Sequence, residues 1–142
     1  MPMFANASSG GASGTHIWPW VVAGDAGRVA VAWYGTNASG GPSAAKGDWF
    51  VFATTVIGAD TPTPQLFGAQ VTPTPIFQGG ICQRGTTCQA DPSPSGDRRL
   101  GDFFEATVDP DGALLVVYSV ALQDAISHPG FARQTTGPLL KQ

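Results

Sequence analysis

The stretch Trp20-Val21-Val22-Ala23-Gly24-Asp25-Ala26-Gly27-Arg28-Val29-Ala30-Val31-Ala32-Trp33 can be laid without a gap on Glu105-Ala106-Thr107-Val108-Asp109-Pro110-Asp111-Gly112-Ala113-Leu114-Leu115-Val116-Val117-Tyr118. Gly27 then falls on Gly112 and Trp33 on Tyr118. Each half reads as strand, tight turn, strand. The turn glycine accepts positive φ, and Pro110 pre-sets the first turn residue of the second copy. The runs Val29-Ala30-Val31-Ala32-Trp33 and Leu114-Leu115-Val116-Val117-Tyr118 are apolar at nearly every position, which suits a sheet covered on both faces. A β-sandwich would give cleaner alternation.

Working outward, apolar and aromatic runs separated by Gly, Pro and Asp turns predict strands over 17–23, 29–34, 49–56 and 67–72, then 102–108, 113–119 and 131–136. In each half a variable loop leads to a strand ending in Thr-Thr, at Thr54-Thr55 and at Thr135-Thr136. An inexact two-fold repeat of this kind is the signal of β-propeller blades. The chain is expected to be all-β, with four-stranded antiparallel blades, about two per chain. The division is an N-terminal segment 1–16, a first blade 17–72, an inter-blade loop 73–100 and a second blade 101–142. The second blade shows no fourth strand after Thr136, and residues 3–8 within the N-terminal segment are a candidate to close it.

Composition agrees. The 142 residues carry a net charge of -3, with 12% charged and 42% hydrophobic side chains, 19 glycines and 12 prolines. A disordered chain would hold more charge and less apolar content. A single Glu and two Lys argue against long helices. No apolar run approaches the ~20 residues of a membrane helix, and seven scattered basic residues make a poor nucleic-acid surface. Residues 1–6 lack the basic and apolar regions of a signal peptide, so a signal has been removed or the sequence starts inside a longer protein. Cys82 and Cys88, with five residues between them, suit a local disulfide and hence an exported, oxidising location. Two thiols without a nearby His do not fill a zinc shell, and no metal or cofactor is expected. The turn Asp109-Pro110-Asp111-Gly112 lacks the further oxygen ligands of a calcium loop.

Pro19-Trp20-Val21-Val22-Ala23-Gly24-Asp25-Ala26-Gly27-Arg28-Val29-Ala30-Val31-Ala32-Trp33-Tyr34 resembles a blade of the bacterial sialidase-like (BNR-repeat) β-propeller proteins. So does Asp97-Arg98-Arg99-Leu100-Gly101-Asp102-Phe103-Phe104, continuing through Val108-Asp109-Pro110-Asp111-Gly112 to Tyr118. The resemblance covers roughly residues 17–137. It implies a ring of six four-stranded blades, of which this chain holds two. The family's Asp-box, Ser-x-Asp-x-Gly-x-Thr-Trp between third and fourth strands, is absent; the Asp/Gly turns here join first to second strands. Sialidases of this family use an arginine triad, a Tyr–Glu nucleophile pair and an Asp acid/base.

The chemistry is concentrated in Asp97-Arg98-Arg99-Leu100-Gly101-Asp102, before an innermost strand. Arg98 and Arg99 are candidates to bind an anionic group, because planar guanidinium suits a carboxylate. Asp102, Glu105 and Tyr118 are the catalytic candidates. The plainer reading makes Arg99 and Asp102 a structural ion pair. Trp18 and Trp49 adjoin loops and are candidates to stack on a sugar ring, whereas Trp20 and Trp33 are expected in the core. His16 and His128 read as surface loop residues.

Three functions follow. The first is a glycan-recognising propeller module; the second is an exo-acting glycoside hydrolase of sialidase type using Arg98, Arg99, Asp102 and Glu105. The third is a structural unit without a small ligand. The partners expected of the chain are a glycan and either copies of itself, with three chains completing six blades, or the remaining blades of a longer protein.

Overall fold

The structure is a computed structural model, and it describes residues 14–88, 97–100, 103–122 and 127–142. The expected closing strand at 3–8 and the catalytic candidate Asp102 lie outside these residues. The described chain is all-β and antiparallel. Its first sheet runs β1 (His16–Ala23), β2 (Arg28–Thr36), β3 (Gly47–Ile57) and β4 (Gln65–Gln70) in sequence order. A short strand β5 (Phe77–Gly79) pairs with the start of β3, from Trp49↔Phe77 to Gly47↔Gly79. The second sheet is β6 (Glu105–Val108), β7 (Leu114–Val120) and β8 (His128–Arg133). The two sheets form no closed ring among the described residues.

The turns work as the sequence reading requires. Gly27 and Gly112 adopt φ of 72° and 84°, a region costly for residues with a Cβ. Arg28 N–H donates to Asp25 O and Gly112 N–H donates to Asp109 O, closing the two hairpins. The C-terminal tail then ties both turns together. Leu140 N–H donates to Gly112 O, Asp25 N–H donates to Leu140 O, and Arg28 Nη1 donates to Leu139 O at 2.6 Å. Leu140 is fully buried.

The core lies between the sheets, and strand parity shows how they meet. In β2 the residues Ala30, Ala32 and Tyr34 face the second sheet; in β7 Leu114 and Val116 face the first. Under the repeat, Ala30, Ala32 and Tyr34 correspond to Leu115, Val117 and Ser119, which sit on the outer side of the second sheet. Leu114, Val116 and Tyr118 correspond to Val29, Val31 and Trp33, on the outer side of the first. One face of the first repeat therefore packs against the opposite face of the second. The packing is head-to-tail. Two equivalent positions even touch, because Ser119 N–H donates to Tyr34 Oη at 2.9 Å.

Three expectations need correction. The third strand of the second repeat ends at Arg133, and Thr135-Thr136 lie beyond it. The register pairs Ala32 with Ala53 and Val117 with Phe131, so Phe131 is the counterpart of Ala53, and the Thr-Thr pairs are not equivalent. Residues 73–100 are not only a connection, since β5 belongs to the first sheet and bridges to Ala121 at the end of β7. Trp20 is 41% exposed rather than core, while Trp33 is buried as expected.

Candidate functional site

The site begins with a defect in β1. Ile17 pairs with Tyr34 and Trp20 with Ala32, so Trp18 and Pro19 insert one extra residue and form a bulge. Trp18 has φ 50°, the only positive value at a non-glycine among the described residues. The following proline already disfavours the ordinary helical conformation at this position. Strain of this kind costs on the order of 1–3 kcal/mol and persists only where the surroundings hold it. Here the Trp18 ring meets Tyr34 edge-on, centroids 6.0 Å apart at 77°. Trp18 also lines a cavity of about 300 Å³.

The opposite wall of that cavity is a disulfide loop. Cys82 and Cys88 are bonded, with a 3-10 turn at Gly85–Thr87 between them. Arg84 N–H reaches Cys88 Sγ at 3.2 Å, and Cys88 N–H donates to Gly85 O at 3.1 Å. The loop is anchored on both sides. Cys82 N–H donates to Asp97 O, Asp97 N–H donates to Gly80 O, and Ser43 Oγ donates to Ile81 O. Gln83 and Thr86 supply the loop's polar lining.

Asp97 and its neighbour fix the third wall. Asp97 is 2% exposed and its carboxylate accepts Arg99 N–H at 2.8 Å and Arg99 Nε at 2.6 Å. A buried carboxylate needs such a partner. Arg99 pairs with Asp97 within the Asp-Arg-Arg run; the ion pair expected with Asp102 falls on a residue outside the described ones. Arg98, between them, is exposed and lines the cavity. Of the four predicted ligand residues, the structure brings Trp18 and Arg98 together. Trp49 is fully buried and its indole N–H donates to Gly79 O at 2.8 Å, so it has no ring face to offer a sugar. Its role is to hold β5.

The two described catalytic candidates, Glu105 and Tyr118, do not converge. Glu105 pairs with Val117, so its side chain lies on the outer face of the second sheet, whereas Tyr118 lies on the inner face against the core. Adjacent strand positions point to opposite sides, and no Tyr–Glu pair forms between them. Tyr34 is the other tyrosine. Burial pushes its hydroxyl up to about 12, against the opposing effect of the Ser119 hydrogen bonds. It is a core hydrogen-bond acceptor. Among the described residues no three His, Cys, Asp or Glu side chains cluster as a metal site. Gln83 and Thr86 carried no motif; their one sequence signal was a place between two cysteines.

A larger cavity, about 450 Å³, lies between β4 and β8. Its floor is apolar, with Ala53, Leu114, Val116 and Ala132. Its polar groups serve the fold: Gln134 bonds Leu114 N–H, Thr136 O and Pro138 O, and Arg133 pairs with Asp109 and Asp111. Desolvation works to raise the Asp109 carboxyl, but the Ala113 N–H and the Arg133 guanidinium outweigh it and hold it below its ordinary value. This wedge reads as a gap in packing. The smaller cavity has the binding chemistry.

No protein family, curated protein or solved structure matches the chain. Function must be argued from the site itself.

Proposed function

We propose that this chain is a pair of β-propeller blades that recognises a glycan at the Trp18–Arg98 pocket, in an exported, disulfide-permissive setting. The head-to-tail packing of the two sheets supports the blade reading, because it is how successive blades meet. The Cys82–Cys88 disulfide is compatible with an oxidising compartment, and no helix among the described residues is long and apolar enough to cross a membrane. The observation that carries the ligand reading is Trp18. A bulge and a strained backbone hold an aromatic ring on a cavity whose other groups are an arginine, an amide and a hydroxyl. An apolar face beside a few convergent polar groups is the general form of a small-ligand site. A glycosidase reading would need a pair other than Glu105 and Tyr118.

The test is a glycan array covering neutral and acidic oligosaccharides, followed by titration calorimetry on the strongest hit. The reading predicts reproducible binding that Trp18→Ala and Arg98→Ala each weaken by about tenfold or more, while Glu105→Gln leaves it unchanged. Binding that survives Trp18→Ala would place the ligand elsewhere. A fluorogenic sialoside tests the hydrolase alternative in parallel.

A further inference from the structure

The gap in packing between β4 and β8 has walls from the inner faces of both sheets. On the first sheet Ala53 pairs with Ala69 and Thr55 with Phe67; on the second Val116 pairs with Ala132. All six line the cavity of about 450 Å³. Further in, Ala32 and Ala106 belong to the packed core. The room comes from small side chains. The counterpart of Ala53 in the second repeat is Phe131, and the ring carried there is missing here. Protein interiors leave few voids larger than a water molecule. An apolar cavity of about 150 Å³ already holds benzene, and this one is about three times as large.

The lining selects the chemistry. Arg133 is the one charged residue in it, and its guanidinium is taken by Asp109 and Asp111. Gln70 donates to Thr72 O, and Gln134 is held by Leu114 N–H, Thr136 O and Pro138 O. Thr55 is the exception. It is 5% exposed, and no hydrogen bond joins its hydroxyl to another described residue. It shares the inner side with Ala53, so its side chain faces the gap. A buried hydroxyl without a partner is costly, and one that borders a cavity can be met by a guest.

We propose that this gap is a second binding site, for a neutral and mostly apolar small molecule with one hydroxyl or carbonyl group that bonds Thr55. The apolar body lies between the alanine walls and against Phe67, which is 44% exposed. An apolar lining with a placed polar group is the ordinary form of such a site. Volume limits the guest to about two to three fused rings, or an alkyl chain of similar bulk. A guest held by both sheets binds the folded chain alone, so it should also raise the melting temperature. The inference is independent of the Trp18–Arg98 pocket, and either can fail alone.

The experiment titrates 2-naphthol, naphthalene and 2-naphthoate at neutral pH into the full chain with labelled methyl groups. 2-Naphthol is expected to shift the methyls of Ala53, Ala69, Ala132, Leu114 and Val116 saturably. The charged 2-naphthoate should bind about tenfold more weakly or worse. Thr55→Val, which keeps the shape, should weaken 2-naphthol about fivefold and leave naphthalene no weaker. Ala69→Phe, at an exposed position, fills the gap and should abolish binding of both. No saturable shift at these methyls would overturn the proposal, and so would binding that survives Ala69→Phe. Unchanged 2-naphthol affinity in Thr55→Val would refute the hydroxyl contact, and 2-naphthoate binding as tightly as 2-naphthol would refute the neutral class. The methyl shifts and the 2-naphthoate comparison are read on the wild type, so they decide even where a variant fails to fold.

Discussion

The two repeats place different residues at equivalent positions, and the difference tracks what covers each face. In the first repeat the row facing the second sheet is Trp20, Ala32 and Ala53; in the second the same row is Glu105, Val117 and Phe131 and faces outward. The two alanines let the sheets approach closely at the centre. At the next position along, Tyr34 in one repeat accepts a hydrogen bond from the Ser119 N–H of the other, and packs on Phe104 at 4.6 Å. Sequence similarity thus marks the shared strand–turn–strand frame, and dissimilarity marks the interface. Among the described residues the outer edges differ too: β4 follows β3 in the first repeat, and the second sheet comprises β6, β7 and β8.

The tail that joins the repeats offers the hardest blow to this pairing. Leu140→Ala removes a fully buried side chain that links both turns, and should cost about 2–5 kcal/mol. Thermal denaturation should show both sheets losing protection together; a drop confined to one would separate the repeats. Next in size is Tyr34→Phe, which strands the Ser119 N–H and should cost about 1–3 kcal/mol. It also tests the alkaline limb. With the hydroxyl raised to about 12 in the folded state, the unfolded chain loses its proton first, near pH 10. Wild-type stability should therefore be full below pH 10 and fall as pH rises towards 12, and Tyr34→Phe should flatten that fall.

The acid side distinguishes the two turns, since Asp109 of the second is held by Arg133 while its counterpart in the first is Gly24. A carboxyl depressed in the folded state stabilises above its unfolded value of about 3.8, and that contribution is lost as pH falls through the folded value. Asp109→Asn should be less stable than wild type at neutral pH and converge with it in acid, so its acid titration declines less steeply. The smallest effect on the fold is expected from opening the disulfide with Cys82→Ser and Cys88→Ser together, because it closes a short loop anchored by Asp97 and Ser43. Glycan affinity should fall while the melting temperature moves little.

Strand positions, both tight turns and the disulfide were legible because they rest on local signals: apolar runs, turn glycines and a short cysteine spacing. Residues 77–79 were not, since β5 is a strand only because β3 offers it an edge and Trp49 reaches Gly79 O. The tail's role was equally hidden, because it depends on backbone groups of turns far away in sequence. At the site, Trp18 and Arg98 could be named as residue types beside loops. What brings them together is a bulge at Trp18-Pro19 and the Arg99–Asp97 pair, and neither leaves a pattern in composition or periodicity. Trp49 shows the converse, a loop-adjacent aromatic that the pairing of β3 with β5 draws into the core.

The most direct test follows the four indole N–H resonances while the strongest array hit is titrated into the labelled protein. The account predicts that the Trp18 resonance shifts and saturates with the ligand, while those of Trp33 and Trp49, both buried, stay in place. A ligand that moves the buried indoles and leaves Trp18 still would contradict it.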